Sequence, residues 1–169
     1  MEQHIDREKE FRLQYNFDAP RKLVFNAFSD AKALGEWWGP VESKTTVVKL
    51  DYREGGIFHY KMETNGKVNF GRFLFKKIAP YHTLEFTNAF ADEHANVVPA
   101  PFDLNLPLEI FYKLKFTESG GVTTIDLHAK PVDADDSQYH AFNSISDSMV
   151  HGFSATFEKL KLYLSRVSS

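Results

Sequence analysis

Hydrophobic and polar residues alternate strictly over residues 11–17. A period of two is typical of a strand with one buried face. The next residues, Asp18-Ala-Pro20, predict a helix start, because Asp is a good N-cap and Pro is favoured in the first turn. A second short helix is predicted from Ser29-Asp30 to the pair Trp37-Trp38. The chain therefore begins with a strand and two short helices.

The middle of the chain alternates extended patterns with turn signals. Asn65-Gly66 and Ser119-Gly120-Gly121 predict two hairpins, since tight turns favour residues that accept positive φ. Gly71, inside an extended pattern, indicates a bulge. Residues 91–107 show no periodicity and contain three prolines, so we predict a long loop there. The predicted strands are residues 43–51, 57–64, 67–78, 83–90, 108–117 and 122–130.

The last part of the chain predicts its longest element, a helix of about 30 residues spanning roughly 45 Å. Acidic residues from Asp133 onwards crowd its start and basic residues crowd its end, as the helix dipole favours. Gly152 lies inside this helix and predicts a bend there. The apolar stripe with three- and four-residue spacing consists of Phe142, Ile145, Met149, Phe153, Phe157, Leu160 and Leu164.

These elements together predict an α+β fold. Strands joined by tight turns form an antiparallel meander, and the long helix offers an apolar stripe to cover one face of it. We expect a curved antiparallel sheet of six to seven strands wrapped around the long C-terminal helix, with the two short helices after strand 1. Residues 1–169 form a single predicted domain, in which residues 1–9 are expected to be flexible.

The composition shows one unusual bias and argues against several classes of function. Phe occurs 16 times and Leu 14 times, although Leu is normally among the commonest residues. Such an interior is either a solid core or the lining of a cavity for an apolar ligand. The net charge is −3 and the basic residues are scattered, so no nucleic-acid partner is expected. Neither a membrane span nor a signal peptide is recognisable, which predicts a cytoplasmic protein.

The strand period assigns side chains to the inner face of the sheet. We predict a ligand site between this face and the long helix, with a filled core as the alternative. The pair of indoles has the same two interpretations, a cap on the core or a pocket wall. The candidate ligand-binding residues are Trp37, Trp38, Phe58, Tyr60, Met62, Phe86, Asn88, Phe90, Ile110, Tyr112, Phe142, Ser146, Met149 and Phe153.

The predicted inner face offers little for catalysis. General acid–base chemistry needs a titratable group near the substrate, and this face carries two tyrosines but no assigned carboxylate or histidine. We therefore predict no catalytic residue. The chain has no cysteine, and its histidines do not cluster: His140 and His151 lie about 16 Å apart along the predicted helix. His59 and His128 are candidates to be neighbours on the outer face of the sheet. No metal and no cofactor are expected.

A series of short motifs runs through most of the chain: Phe17-Asp-Ala-Pro20, Val24-Phe25, Trp37-Trp38-Gly39-Pro40, Asp51-Tyr-Arg-Glu-Gly-Gly56, Gly71, Ile78-Ala-Pro80, Leu84 and Gly152-Phe153. Together they resemble the bacterial homologues of the heat-shock-protein-90 ATPase activator, which belong to the START-like, pollen-allergen-like helix-grip (SRPBCC) superfamily. The resemblance covers roughly residues 10–165. Two departures are the Gly152-Phe153 pair, where the family commonly has Gly-Trp, and a longer loop at 91–107.

The resemblance implies a helix-grip fold with a cavity, but fold alone does not fix a reaction. Our leading hypothesis is a non-enzymatic module that binds a small apolar or aromatic ligand of a lipid- or polyketide-like kind. One alternative is a cyclase or dehydratase acting on a polyketide-like substrate, with Tyr60 or Tyr112 as proton donor.

A further alternative, suggested by the family name, is a chaperone-interacting stress-response domain. The eukaryotic activator carries an additional N-terminal domain, which 169 residues do not hold, so chaperone contact is not expected. A homodimer formed through a strand edge or through residues 91–107 stays open.

Overall fold

The computed structural model describes residues 11–40 and 42–167, which form a seven-stranded sheet and four helices. The expected flexibility of residues 1–9 falls outside these residues. The elements in chain order are β1 (Phe11–Phe17), α1 (Arg21–Asn26), α2 (Ala31–Trp37), β2 (Lys44–Leu50), β3 (Ile57–Thr64), β4 (Lys67–Ala79), β5 (Thr83–Ala91), β6 (Ile110–Ser119), β7 (Val122–Pro131), α3 (Asp136–Ser144) and α4 (Ser146–Val167).

The sheet is antiparallel throughout and has the order β1-β7-β6-β5-β4-β3-β2. Strands β2 to β7 form the predicted meander, and β1 closes against β7. Helix α4 packs on the concave side, next to α2 and β1. The α+β fold with a curved sheet around the C-terminal helix is therefore confirmed.

Gly71 does not form the predicted bulge. It pairs with Tyr60 of β3 in unbroken register, and the irregularity of β4 lies between Phe75 and Lys77. The glycine is instead a place of close approach, because a Cβ atom at residue 71 would lie 2.5 Å from the hydroxyl oxygen of Tyr60. The Tyr60 ring therefore lies across β4 where that strand carries no side chain.

The predicted single helix is two helices. Helix α3 ends at Ile145, which has φ −100° and ψ 11°, and α4 runs unbroken through Gly152. The predicted position of the irregularity was therefore wrong. Asn143 and Ser144 stand at the break, and side chains of these types compete for backbone hydrogen bonds. The Ser144 hydroxyl donates to the carbonyl of Ala141 over 2.7 Å.

The outer face of the sheet is partly covered by the chain that follows β5. His59 points to this face but is only 4% exposed, with its Nε2 atom 3.0 Å from the carbonyl oxygen of Asp92. The expected proximity of His59 and His128 was wrong, because β4, β5 and β6 lie between their strands. His128 instead contacts Arg12 on β1. His140 and His151 are exposed, each on a different helix.

One end of the space between sheet and helices is a filled aromatic core. Phe28 meets Trp37 edge-to-face with ring centroids 4.8 Å apart, and Phe116 packs on Phe28 at 5.6 Å. Phe17 contacts Phe157 of α4 at 5.7 Å. We call this region, around Phe17, Phe28, Trp37, Phe116 and Phe157, the filled end. The opposite end of the same interior is hollow.

Candidate functional site

A cavity of about 250 Å³ lies between the concave face of the sheet, α4 and the segment that joins β5 to β6. Its wall is mainly apolar, as in most small-molecule sites. We call this region the hollow end. The lining residues are Trp38, Gly39, Pro40, Tyr60, Met62, Gly71, Asn88, Ala89, Phe90, Ala100, Leu106, Pro107, Leu108, Ile110, Met149, Gly152, Phe153 and Thr156.

The structure brings together part of the predicted site. The predicted residues that line the cavity are Trp38, Tyr60, Met62, Asn88, Phe90, Ile110, Met149 and Phe153. Those that do not line it are Trp37, Phe58, Phe86, Tyr112, Phe142 and Ser146. All of this second group except Ser146 are buried in the core, because the cavity occupies only one end of the inner face. Ligand binding by any of these residues stays a prediction.

The lining residues that sequence reasoning missed are mostly small or lie in the loop. Gly39, Gly71 and Gly152 contribute space rather than contacts, although all three belong to the motifs that carried the family resemblance. Leu106 comes from the predicted loop, where no periodicity assigns a face. Leu108 was assigned to the inner face of a strand predicted over residues 108–117 but was not included among the candidate residues, and it lies just before β6. The remaining missed residues are Pro40, Ala89, Ala100, Pro107 and Thr156.

Each of the two interpretations of the tryptophan pair holds for one of the two indoles. Trp37 is fully buried at the filled end, and its Nε1 atom donates to the carbonyl of Ala27 over 3.0 Å. Trp38 lines the cavity and meets the ring of Phe73 edge-to-face at 4.9 Å. Helix α2 ends between them, so consecutive side chains point to different regions.

The turn after the tryptophans is tied to α4. The carbonyl oxygen of Gly39 accepts hydrogen bonds from Thr156 Oγ1 at 3.2 Å and from Lys159 Nζ at 3.1 Å. Burial lowers the pKa of Lys159. Gly39 has φ +98°, and a Cβ atom there would lie 2.7 Å from Thr45 Oγ1. Both the backbone conformation and the crowding therefore require glycine at this edge of the cavity.

Tyr60 and Asn88 form a polar corner of the cavity. The Asn88 side-chain nitrogen donates to the Tyr60 hydroxyl oxygen at 3.0 Å and to the backbone carbonyl of Arg72 at 3.0 Å. The indole N–H of Trp38 also interacts with the Tyr60 hydroxyl. Gly71 makes this arrangement possible, because the Tyr60 side chain crosses β4 above it to reach β5.

Both tyrosines of the inner face keep their protons at neutral pH. Burial raises the pKa of Tyr60, although the hydrogen bonds from Asn88 and Trp38 act in the opposite direction. Burial also raises the pKa of Tyr112, and the nearby Tyr60 adds to this effect. Neither phenol is therefore tuned to act as a base near pH 7.

Residues 11–40 and 42–167 contain neither a cluster of metal-ligating side chains nor a helix that could span a membrane. No group of three or more His, Cys, Asp and Glu side chains is placed to hold a metal ion. No helix in that part of the chain is long and apolar enough to cross a membrane.

Solved structures with this fold support the architecture described above. Protein Ms6760 from Mycobacterium smegmatis is 23% identical with a TM-score of 0.78, over 98% of this chain and 96% of that one. A protein from Arthrobacter aurescens is 25% identical with a TM-score of 0.78, over 98% and 90%. DynU16, a protein in the dynemicin biosynthetic locus, is 15% identical with a TM-score of 0.63, over 92% and 47%.

A comparison with curated proteins found no match. A family model, described as Activator of Hsp90 ATPase homolog 1-like protein, matches residues 18–165. This range is most of the chain and contains the motifs on which the resemblance was based, apart from Phe17 at the start of the first motif. The chain therefore belongs to the Activator of Hsp90 ATPase homolog 1-like protein family.

Proposed function

We propose that this protein binds a small apolar or aromatic molecule in the hollow end of its interior. The observation that carries the proposal is a cavity of about 250 Å³ with a mainly apolar wall and a polar corner formed by Tyr60 and Asn88. Aromatic side chains form much of this wall, namely Trp38, Phe90 and Phe153. Apolar pockets with a few orienting polar groups are the usual form of small-molecule sites.

Exposed apolar side chains near the mouth also support the proposal. Leu108 lines the cavity and is 49% exposed, and Phe102, at 58%, packs against the ring of the lining residue Phe90. Apolar groups that stay in contact with water are often found where a molecule binds. A ligand seated in the cavity would cover part of this surface. We propose a lipid- or polyketide-like ligand because the resemblance to the helix-grip superfamily implies such ligands.

The cyclase or dehydratase alternative is less well supported. It needs Tyr60 or Tyr112 as a proton donor, and burial raises the pKa of both phenols. A general acid works best when its pKa lies near the operating pH, so these directions do not favour it. The proposal therefore contains no catalytic step.

Native mass spectrometry of freshly purified protein, compared with the mass of the denatured chain, tests the proposal directly. We expect an additional mass that disappears on denaturation and identifies the chemical class of the ligand. Protein that carries no additional mass is then titrated with naphthalene as an apolar probe. Absence of both a co-purified molecule and probe binding would contradict the proposal.

Substitutions at Gly152 locate the bound molecule. A Cβ atom at this residue would meet no atom within 4 Å, so the position opens onto the cavity. Gly152→Phe fills the space and is expected to abolish probe binding, whereas the matched control Gly152→Ala leaves most of the space. Equal binding to both variants would place the probe elsewhere on the protein.

A further inference from the structure

The polar corner of the cavity limits the kind of molecule that fits. We propose that the cavity selects neutral molecules in which a hydroxyl group is attached to a flat apolar body of about two fused rings. The hydroxyl would accept a hydrogen bond from Tyr60 and donate one to the side-chain oxygen of Asn88. This inference rests on the proposed function and names the ligand class of the same site.

The orientation of the Asn88 amide follows from its neighbours. Its nitrogen lies 3.0 Å from the carbonyl oxygen of Arg72, which can only accept a hydrogen bond. The amide is therefore placed with its NH₂ group towards Arg72, and the same group donates to the Tyr60 hydroxyl oxygen. In this orientation the side-chain oxygen of Asn88 is not used by either contact.

Tyr60 is left with a proton to donate. The Asn88 side-chain nitrogen donates to its hydroxyl oxygen, so this contact does not use the hydroxyl proton. Across residues 11–40 and 42–167 no acceptor takes the hydroxyl proton of Tyr60, and no donor takes up the side-chain oxygen of Asn88. Both groups therefore keep hydrogen-bonding capacity at the wall of the cavity. A ligand hydroxyl supplies both partners at once, because it donates one hydrogen bond and accepts others.

The charge of the lining favours a neutral ligand. None of the lining residues is a Lys, Arg, His, Asp or Glu. The nearby Lys159 donates to the carbonyls of Gly39 and Pro40 at the edge of the cavity. An ionised ligand would therefore lose its hydration without gaining a counter-charge. A phenol or an alcohol fits this wall better than a carboxylate.

The volume sets the size of the ligand. A cavity of about 150 Å³ is known to accept benzene, so about 250 Å³ accommodates a body of roughly two fused rings. The walls formed by Trp38, Phe90 and Phe153 suit such a flat body, since aromatic rings stack and pack edge-to-face.

The test compares four bicyclic probes on the intact wild-type protein at pH 7 by titration calorimetry. 2-Naphthol is expected to bind about tenfold more tightly than naphthalene, as two modest hydrogen bonds allow. 2-Methoxynaphthalene, which accepts but does not donate, is expected to lie between them, and 2-naphthoate to bind more weakly than naphthalene. This comparison of ligands needs no variant.

Two tyrosine variants then assign the preference. Tyr60→Phe is expected to remove the preference for 2-naphthol and to leave naphthalene binding unchanged. Tyr112→Phe, a matched control that removes a neighbouring buried hydroxyl outside the lining, is expected to retain the preference. Loss of the preference in Tyr112→Phe with retention in Tyr60→Phe would overturn the inference.

The outcomes separate this inference from the proposed function. Equal affinities of the wild-type protein for 2-naphthol and naphthalene would overturn the selection of a hydroxyl and leave apolar binding intact. Tighter binding of 2-naphthoate than of naphthalene would also overturn the selection of a neutral hydroxyl compound, because the site would then prefer an anion. Binding of no probe, together with the absence of a co-purified molecule, would overturn both.

Discussion

The two ends of the interior are built from the same kind of side chain but have opposite outcomes. At the filled end, Phe28, Trp37 and Phe116 pack edge-to-face and are buried. At the hollow end, Trp38 and Phe153 are just as large but face open space. Aromatic content therefore does not distinguish a filled core from a cavity wall in this protein.

Small residues make the difference. The wall of the hollow end contains Gly39, Gly71 and Gly152, together with two alanines. Each glycine stands where a larger side chain would either clash or fill the cavity. Protein interiors are close-packed wherever side chains can reach one another, so a cavity needs positions from which bulk is missing.

The adjacent tryptophans give the largest expected contrast between the two ends. Trp37→Ala should lower the free energy of unfolding by roughly 3–5 kcal/mol, because it removes a fully buried ring and leaves the carbonyl of Ala27 without its donor. Trp38→Ala should cost clearly less, since part of its ring faces the cavity. Urea unfolding of both variants measures the difference. Equal losses would mean that Trp38 is as tightly packed as Trp37.

Gly71→Ala tests whether the position of the Tyr60 ring depends on a missing side chain. The new methyl group would lie 2.5 Å from the tyrosine hydroxyl, and forcing extra atoms into a packed site typically costs about 1–3 kcal/mol. Urea unfolding of Gly71→Ala should show a loss of stability of this size. The variant should also prefer 2-naphthol over naphthalene less strongly than the wild-type protein does.

A double-mutant cycle provides the control for this clash. If the Tyr60 ring causes the penalty, Gly71→Ala should cost much less in a Tyr60→Leu background. An unchanged penalty would assign the effect to the β4 backbone instead of the ring.

Substitutions at two buried threonines allow the hydrogen bonds of the two ends to be compared. Thr123 Oγ1 donates to the carbonyl of Ala19 over 2.7 Å at the filled end, and Thr156 Oγ1 donates to that of Gly39. Thr123→Val should cost about 1–3 kcal/mol, because a buried acceptor loses its partner. Thr156→Val should cost about 1 kcal/mol or less, because Lys159 still donates to the same carbonyl. A larger loss for Thr156→Val in urea unfolding would contradict this ranking.

The sequence was informative about the fold because the fold depends on periodic patterns. Alternation along the strands and the turn signal at Asn65-Gly66 predicted the meander, and the apolar stripe predicted the helix that covers it. The break at Ile145 was not predicted from the sequence. It depends on local side-chain hydrogen bonding around Ser144, which leaves the apolar spacing unchanged.

The site was harder to predict for a different physical reason. Periodicity identifies which large side chains face inwards, and it correctly assigned Tyr60 and Asn88 to the inner face. It does not show where those side chains stop filling space. Phe86 and Tyr112 also face inwards, but they are buried beside the cavity and do not line it. Positions such as Gly71 carry no pattern of their own. Their role follows from a neighbour on another strand.

The smallest expected effect concerns the glycines inside helices. It distinguishes what a glycine contributes to the stability of the protein from the space that it leaves in the cavity. Gly35 of α2 and Gly152 of α4 both have room for a methyl group, which would lie 3.8 Å from Val47 at residue 35 and would meet nothing within 4 Å at residue 152. Replacing either glycine by alanine should raise the free energy of unfolding by about 0.5–1 kcal/mol, since glycine is a poor helix former. Thermal and urea unfolding measure the gain.

Similar gains at both positions would mean that glycine at residue 152 is unfavourable for stability and useful only for the space it leaves in the cavity. A loss of stability in Gly152→Ala alone would mean that α4 packs more closely there, and the hollow end would then be smaller than described.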